Sequence, residues 1–282
     1  MIRIKVPATS ANFCIGFDTC GIAFNLYNEY SFEEADYDLL TGFDTKFMNE
    51  FNLVLKSYHK FFEYFNIDYI PASISLLKEE IPVSRGLGSS AACIVAGVLG
   101  ANKLSEANKS ERELLYLMTL IEGHPDNVAP AFLGGFIAAI KNDNEIDYVK
   151  YNVSKKLKFN VFIPQYTLST EEARKVLPKK YDRVDVVSNL SRIINLPYAL
   201  KVGDLNLLKK LLIDKIHEPY RFPLIENAET LKKEVLDKDA ILIISGSGST
   251  LLSISYKNLK IDNPNFKCKN VCVNTKGVEY ID

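Results

Sequence analysis

The chain has 282 residues, more than one compact domain usually holds, so the sequence predicts one large or two modest domains. Hydrophobic residues make up 47% of the chain and charged residues 24%, a composition that supports a buried core. The formal net charge is −1, and no block of like charges occurs. This balance argues against a nucleic-acid-binding surface and against a strongly acidic partner.

Cysteine usage and hydropathy indicate the compartment. The five cysteines are an odd number in a chain of this length, so we expect a reducing setting and no disulfide framework. Cys268 and Cys272 lack the second ligand pair of a structural zinc site. The N-terminus shows no signal segment, and the most apolar stretch, 91–101, is far shorter than the roughly 20 residues that span a bilayer. We expect a cytoplasmic chain with no membrane partner.

The first half of the chain opens with a predicted strand. Ile2, Ile4 and Val6 alternate with charged residues, which predicts a strand that stops at Pro7, followed by a loop to Asn12. Helices are predicted over 51–65, 89–104 and 110–121. Asn49 or Asn52 would cap the first of them, and Ser110 with Glu113 would cap the third. Strands are predicted over 74–81 and 136–140, and a loop or helix start over 126–135.

The second half follows a predicted linker. The polar, charge-mixed stretch 141–150 divides the chain into an N-terminal domain, 1–150, and a C-terminal domain, 151–282. Beyond it, strands are predicted over 159–163, 241–244 and 251–255, and helices over 205–213 and 227–236. A further short helix would begin at a capping box of Ser169 and Glu172 and end at Pro178. Strands and helices mix without a strict βαβ rhythm, which favours an α+β fold.

The segment from Pro82 to Ala92 is typical of a phosphate-binding turn. Gly86 and Gly88 would let the backbone approach a ligand without Cβ obstruction. Ser89 and Ser90 stand where a helix would begin, and a helix start offers unpaired N–H groups and a partial positive charge. These features together can hold a polyphosphate.

Other interpretations of this turn remain open at this point. It lacks the lysine of a G-x-x-x-x-G-K-[ST] loop. It matches the dinucleotide pattern G-x-G-x-x-G/A, but the preceding residues 78–82 are too polar for the buried strand that this pattern needs. A plain turn that caps a packed helix explains the segment equally well. A second glycine cluster, 245–250, is on its own most simply a hairpin loop between two strands.

Four segments in order carry a family resemblance. Residues 6–18 (Val-Pro-Ala-Thr-Ser-Ala-Asn, then Gly-Phe-Asp) resemble the first motif of the GHMP small-molecule kinases, the 82–92 turn resembles the second, and residues 245–251 the third. Residues 122–130, Glu-Gly-His-Pro-Asp-Asn-Val-Ala-Pro, are similar to the homoserine kinase branch of that superfamily. The four segments span nearly the whole chain, and their joint occurrence is far more specific than any one of them.

The resemblance implies a fold and a nucleotide site. It implies a ribosomal-protein-S5-domain-2-like N-terminal domain and a ferredoxin-like C-terminal domain, with the active site in the cleft between them. It further implies that Ser90 and Glu122 bind Mg²⁺. The residues implied for ATP are Pro82, Val83, Ser84, Arg85, Gly86, Leu87, Gly88, Ser89, Ser90, Ala91 and Ala92, with Asn52 near the adenine pocket.

The resemblance also implies the acceptor. L-homoserine is a zwitterion with one primary hydroxyl, and an arginine fork suits its carboxylate. The residues implied for the amino-acid site are Asn12, Asp18, His124, Asn127, Arg174 and Arg221, with both arginines on the carboxylate and Asp18 on the ammonium group. The implied reaction is ATP-dependent phosphorylation of homoserine in threonine biosynthesis, and the resemblance allows a homodimer.

Several residues depart from the family pattern. Cys14-Ile15 stands where Gly-Pro is common, and Ser249 replaces a common proline. The segment between Glu122 and His124 is short, so Glu122 is the least secure of the implied metal ligands. Related kinases place an aspartate seven residues before a Gly-Gly pair, and that position is Asn127 here. An amide orients a hydroxyl but accepts no proton, so we expect direct transfer without a catalytic base. Asp126 as a conventional base is the competing hypothesis.

Three other functions compete with this interpretation. Another GHMP alcohol kinase, such as one that acts on mevalonate, is the nearest, although those enzymes carry aspartate where Asn127 stands. A ligand-binding or regulatory protein that kept the fold and lost the chemistry is the second, although the glycines, Ser90 and both arginines are intact. A dinucleotide-dependent oxidoreductase is the third.

Overall fold

The computed structural model describes residues 1–282 as two units, each built around one β-sheet. The strands of the first sheet are β1 (Ile2–Ala11), β2 (Cys20–Glu34), β3 (Leu39–Thr41), β4 (Ala72–Glu79), β5 (Phe136–Lys141), β6 (Ile146–Tyr151) and, from the far end of the chain, β11 (Glu279–Ile281). The helices of this unit are α1 (Leu53–Phe65), α2 (Ser89–Leu104), α3 (Glu111–Glu122) and α4 (Pro125–Leu133), with a 3₁₀ turn at Thr45–Phe47.

The second unit has a four-stranded antiparallel sheet in the order β10-β7-β9-β8. Its strands are β7 (Lys158–Pro164), β8 (Ile241–Ile244), β9 (Leu251–Ser255) and β10 (Phe266–Val271). Its helices are α5 (Thr170–Lys175), α6 (Arg183–Ile193), α7 (Leu196–Val202), α8 (Leu205–Leu211), α9 (Glu218–Arg221) and α10 (Ala228–Leu236), with a 3₁₀ turn at Phe222–Leu224. Helices and mostly antiparallel strands mix in both units, so the predicted α+β class is confirmed.

The first strand does not stop at Pro7. It continues to Ala11, and its pairing with β2 shifts register between Pro7 and Ala8. A β-bulge accommodates the missing N–H of a proline, so the strand passes through this residue. The predicted loop over 8–12 is therefore wrong up to Ala11, and the first motif lies at the end of a sheet strand that points into the molecule.

The predicted linker over 141–150 is also wrong. Residues 146–151 form β6, which pairs antiparallel with β5 as a hairpin at the edge of the first sheet. Ile140 and Val149 of this hairpin are exposed. Its polar composition thus reflects an edge in contact with solvent, which sequence alone does not distinguish from a linker.

The two units share one hydrophobic core. A cluster of 51 buried apolar residues extends from β1 and α2 into β7, β9 and helices α7 and α8. Phe24 of β2 packs on Phe159 of β7 with ring centroids 5.5 Å apart. The last strand, β11, pairs with β1, so the chain returns to the first sheet. The division into 1–150 and 151–282 stays a prediction, but the shared core fixes the walls of the cleft between the sheets.

The observed helix caps agree with those predicted from the sequence. Asn52 caps α1, and its Oδ1 accepts the N–H groups of Val54 (2.9 Å) and Leu55 (3.3 Å). Both predicted capping boxes form, at Ser110 with Glu113 and at Ser169 with Glu172. No helix of the structure has the length and apolar character that crossing a membrane requires.

Candidate active site

A cleft of about 320 Å³ lies between the two units and gathers the segments singled out in the sequence. The predicted site residues that line it are Asn12, Asp18, Asn52, Val83, Ser84, Arg85, Gly86, Gly88, Ser89, Ser90, Glu122, His124, Asn127, Arg174 and Arg221. Pro82 is half-buried outside this lining, and Leu87, Ala91 and Ala92 are buried in the core. The latter three therefore support the turn from behind.

The glycines of the turn are fixed by close packing. Gly88 is the N-cap of α2 with φ 74°, and a Cβ there would lie 2.0 Å from Oγ1 of Thr9. Gly86 has φ 73°, and its Cβ would lie 2.2 Å from the carbonyl oxygen of Ser245. No side chain caps α2, so the N–H groups of its first turn remain for a ligand in the cleft.

Hydrogen bonds join the three glycine-rich or small-residue segments. Ser245 Oγ donates to the carbonyl of Gly86 (2.6 Å), and Asn12 Nδ2 donates to the carbonyl of Gly246 (2.8 Å). The N–H of Thr250 donates to the carbonyl of Arg85 (3.1 Å). The 245–250 cluster is indeed a hairpin loop, and it serves as the scaffold of the phosphate turn.

Arg85 uses its side chain to connect the two units. Its Nε donates to the carbonyl of Pro164 (3.0 Å) and its Nη2 to that of Gln165 (2.7 Å), both at the end of β7. The guanidinium is thus occupied by the backbone of the second unit. Its main chain is therefore what it could offer a ligand in the cleft.

Ser90 and Glu122 form an oxygen pair beside the start of α2. Ser90 Oγ donates to Oε2 of Glu122 at 2.7 Å. Burial raises the pKa of Glu122, and the Ser90 hydrogen bond opposes that rise. A hydroxyl and a carboxylate next to a phosphate turn fit Mg²⁺, which prefers a few oxygen ligands and shares the rest with phosphates and water.

Asp18 and Arg174 contact each other across the cleft. Arg174 donates to both carboxylate oxygens of Asp18, at 3.0 and 2.8 Å, and this ion pair raises the pKa of Arg174. The residues predicted for the ammonium and carboxylate poles of a zwitterion thus neutralise one another in this structure. A ligand with both charges can enter by exchanging partners with each residue.

Arg221 is a buried cation without a carboxylate partner. Its side chain is 1% exposed, and Nε donates to the carbonyl of Ala173 (3.0 Å). Burial and the nearby charge of Arg174 lower its pKa. The ring of Phe17 lies 5.1 Å from the Arg221 guanidinium and 5.7 Å from that of Arg174. Two guanidinium groups around one ring leave positive charge that an anionic group can satisfy.

His217 holds Arg221 in place and was missed in the sequence. Its Nε2 donates to the carbonyl of Cys14 (2.5 Å), and its Nδ1 accepts from Nη1 of Arg221 (3.3 Å). Burial lowers the pKa of His217, which favours the neutral ring that this arrangement needs. The spacing His-x-x-x-Arg, which places both side chains on one helix face, is the signal that could have found it.

Thr9 is a second residue that sequence analysis missed. Its Oγ1 donates to Oδ1 of Asn127 (2.8 Å) and lies directly behind Gly88. This bond leaves the amide hydrogens of Asn127 as the group that the side chain offers in the cleft.

Asp126 is 1% exposed, its Oδ1 is bonded to Nδ1 of His124, and its Oδ2 has no partner. Burial lowers the pKa of His124, but the bond to Asp126 prevails and raises it.

The opposite part of the lining is apolar and aromatic. Tyr30, Phe43, Phe47 and Leu53 line it, and the rings of Tyr30 and Phe43 lie 6.5 Å apart. Asn52 borders this region, although its Oδ1 is used to cap α1. A planar base can stack in such a region, next to a turn whose free N–H groups could accept phosphates.

Residues 52–135 match the family described as the GHMP kinases N terminal domain. Together with the cleft and the two-unit fold, this defines a small-molecule kinase that binds ATP. The chain is 46% identical to the homoserine kinase of Clostridium acetobutylicum, with 90% of this chain and 87% of the relative covered. A crystal structure of homoserine kinase from Cytophaga hutchinsonii superimposes with a TM-score of 0.86 at 29% identity, covering 99% and 97% of the two chains. The chain belongs to the homoserine kinase family.

These comparisons decide between the interpretations of the sequence. The predicted two-domain GHMP kinase fold and the kinase activity are confirmed. The oxidoreductase and binding-protein alternatives are wrong. A crystal structure of a mevalonate kinase shares the fold, with a TM-score of 0.65 and 14% identity.

Gly88→Ala should weaken ATP binding by about tenfold or more, because the new Cβ meets Thr9 and the left-handed backbone is strained. The measurement is calorimetric titration of the folded variant with ATP. Gly203→Ala is the matched control, since Gly203 also has a left-handed backbone (φ 72°) but lies outside the cleft. Equal ATP affinity of the Gly88 variant and the control would contradict the assignment of this turn.

Proposed function

We propose that the chain transfers the γ-phosphoryl group of ATP to the side-chain hydroxyl of L-homoserine, giving O-phospho-L-homoserine for threonine biosynthesis. The observation that carries this proposal is the buried, carboxylate-free Arg221 in the same cleft as the start of α2. The relatives named homoserine kinase support the same acceptor.

A continuous row of contacts connects the two ligand sites of the proposal. Thr9 touches Gly88 of the phosphate turn and Asn127, and the neighbouring Asp126 bonds His124. Ligand atoms of Asp18, His124 and Asp126 lie within 4.8 Å of one another. An acceptor bound at Asp18 would therefore lie next to the residue that faces the phosphate turn.

The nucleotide would lie with its base on Tyr30 and Phe43 and its phosphates on the first turn of α2. Backbone N–H groups of the 82–92 turn would hold the phosphates, since the Arg85 side chain is occupied elsewhere. Ser90 and Glu122 would hold Mg²⁺, which neutralises charge on the phosphates when it is bound.

The amino acid would be held at both poles. Its carboxylate would bind Arg221 and Arg174, and its ammonium group would bind Asp18. Asn12 supports this arrangement, because its Oδ1 accepts the N–H of Asp18 at 2.9 Å. His124, whose pKa is raised through Asp126, would add a donor at the same place.

The transfer would proceed without a catalytic base. Asn127 would donate an amide hydrogen to the acceptor hydroxyl oxygen and orient it toward the γ-phosphorus. As the new O–P bond forms and the bond to ADP breaks, the hydroxyl proton would pass to a phosphoryl oxygen. Asp126 is the competing base, since its Oδ2 is free, although it is buried and its Oδ1 is bonded to His124.

An ADP-release assay with homoserine, mevalonate, serine and threonine tests the acceptor. We expect turnover on homoserine to exceed that on each other alcohol, because only homoserine places a hydroxyl at this distance from a zwitterionic group. ATP without an acceptor is the control for background hydrolysis. Turnover on mevalonate but not on homoserine would overturn the acceptor and spare the fold.

Asn127→Ala should lower kcat by an amount corresponding to about 2–4 kcal/mol, because the hydroxyl loses its orienting donor. Asp126→Asn should keep the acidic limb of the pH–rate profile. Asn142→Ala, an exposed asparagine in the β5–β6 turn, is the matched control and should leave both parameters unchanged. An acidic limb that disappears only in the Asp126 variant would rule out base-free transfer.

His217→Leu should raise the KM for homoserine by about tenfold, because Arg221 loses its neutral acceptor and the loop at Cys14 loses a donor. The KM for ATP should change little, and His217→Gln, which can donate and accept, should restore part of the loss. His59→Leu, at an exposed histidine, is the control. Parallel increases in both KM values would indicate a general structural defect and contradict this role.

A further inference from the structure

The carboxylate of Glu218, the first residue of α9, bonds two segments outside that helix. Its Oε1 accepts the N–H of Ile244 (2.6 Å), and its Oε2 accepts the thiol hydrogen of Cys14, with 3.5 Å between oxygen and sulfur. Glu218 lies outside the lining of the cleft and lines a separate cavity of about 560 Å³. Any effect of its side chain on the cleft must therefore pass through the residues that it bonds.

The three segments that meet at this carboxylate all lead to the cleft. Ile244 is the last residue of β8 and precedes the 245–250 loop, which bonds the phosphate turn. Cys14 belongs to the loop between β1 and β2, which also carries Asp18. Helix α9 ends with Arg221. One carboxylate thus joins the scaffold of the phosphate turn, the loop that carries an acidic residue of the cleft and the helix that carries its buried cation.

The bond to Ile244 takes the place of a neighbouring strand. β8 is the last strand of its sheet, and the N–H of the next residue, Ser245, donates to the carbonyl of Thr250 on the β9 side (3.0 Å). Successive N–H groups of a strand point to opposite sides, so the N–H of Ile244 points away from β9. Ile244 is fully buried, and without Glu218 this N–H would be buried and unpaired, which is unfavourable.

Glu218 makes these bonds in surroundings that disfavour a negative charge. Burial raises the pKa of its carboxyl group to about 7, the nearby charge of Asp214 adds to the rise, and the bonds from Ile244 and Cys14 oppose it. The titratable groups that face it from the neighbouring segments and across the cavity are Cys14, Lys209, Asp214, Glu229 and Lys232. An apolar side chain would fill the same space without this cost, so the two groups that the carboxylate bonds are the reason for its presence.

We propose that Glu218 is a positioning residue for the acceptor. By holding Cys14 and Ile244 against the start of α9, its carboxylate fixes the spacing between Asp18 in the loop after β1 and Arg221 at the end of α9. These two residues would bind opposite poles of the zwitterion in the proposed function, on which this inference rests for the identity of the acceptor. Glu218 itself would touch neither substrate, because it lies outside the lining of the cleft.

Steady-state kinetics with ATP and homoserine test this role. Glu218→Ala should raise the KM for homoserine about tenfold and leave kcat within about twofold, because the two poles of the acceptor site lose their spacing while Asn127 keeps its own contacts. The KM for ATP should change by less than about twofold, since Ser245 and Thr250 keep their bonds to the phosphate turn. Glu218→Gln, whose amide oxygen can accept from Ile244, should restore most of the loss.

Glu229→Ala is the matched control, since Glu229 lines the same cavity but is exposed and lies outside the cleft. It should leave kcat and both KM values unchanged. An unchanged KM for homoserine in Glu218→Ala, or equal losses in the Ala and Gln variants, would overturn the proposal. A wild type that turns over a different alcohol would refute the proposed acceptor alone, and the same variants would then be compared on that alcohol.

Thermal unfolding tests the buried carboxylate without any acceptor. Because the pKa of Glu218 is raised in the folded state, its ionisation as the pH rises toward about 7 costs the wild type stability that a neutral side chain keeps. Glu218→Gln should therefore unfold several degrees above the wild type at pH 8.5, with a smaller difference at pH 5.5. Glu229→Gln is the control and should differ little from the wild type at either pH. A difference between Glu218→Gln and the wild type that does not change with pH would overturn the buried arrangement that the proposal requires.

Discussion

The buried guanidinium of Arg221 is the constraint on which the cleft depends. A cation removed from water costs several kcal/mol unless partners replace its hydration, and this one has a carbonyl, a neutral imidazole and an aromatic ring but no carboxylate. Helix α9, the loop at Cys14 and α5 must all be in place to supply those partners. The packing of the rest of the core therefore offsets part of the cost of burying this positive charge.

The loop that follows β1 shows how the same constraint acts on the backbone. Asn12, Phe13 and Cys14 all have left-handed φ values (63°, 39° and 65°), although none is glycine. Cys14 occupies a position where glycine is common in the family, and its thiol is buried against Oε2 of Glu218 at 3.5 Å. The carbonyl of Cys14 accepts a hydrogen bond from His217, which in turn accepts one from Arg221. The strained conformation of this loop and the position of Arg221 therefore stabilise each other.

Local signals in the sequence were sufficient for the starts of helices α2, α3 and α5 and for the glycine turn before α2. The capping boxes at Ser110 and Ser169 and the start of α2 at Ser89 depend on residues within four positions, and all formed as expected. Long-range features were missed. The 15-residue strand β2 owes its register to partners on three other strands, and the role of Pro7 depends on a bulge in that pairing.

The candidate site also shows this division between local signals and long-range contacts. Sequence reasoning named the motif residues that line the cleft, because motif spacing is local, but it did not name the aromatic part of the lining. It missed Thr9, because a contact with Asn127, 118 positions away, leaves no local pattern. It also missed His217, although the four-residue spacing to Arg221 is a local signal. It also assigned Asp18 and Arg174 to opposite poles of a ligand without foreseeing that they pair with each other.

Under the proposed function, that pairing would give the cleft a means of selecting its acceptor. Asp18 and Arg174 satisfy each other, so neither is an uncompensated charge in a half-buried site. Under the proposed function, an acceptor with only a carboxylate that bound Arg174 would leave Asp18 without its guanidinium partner and close to the carboxyl group of Asp126, which is unfavourable. An acceptor with both a carboxylate and an ammonium group replaces each partner with an equivalent one. Under the proposed function, a zwitterion would therefore be favoured over an isoprenoid alcohol, because it would replace both partners of the Asp18–Arg174 ion pair, even where both acceptors offer the same hydroxyl.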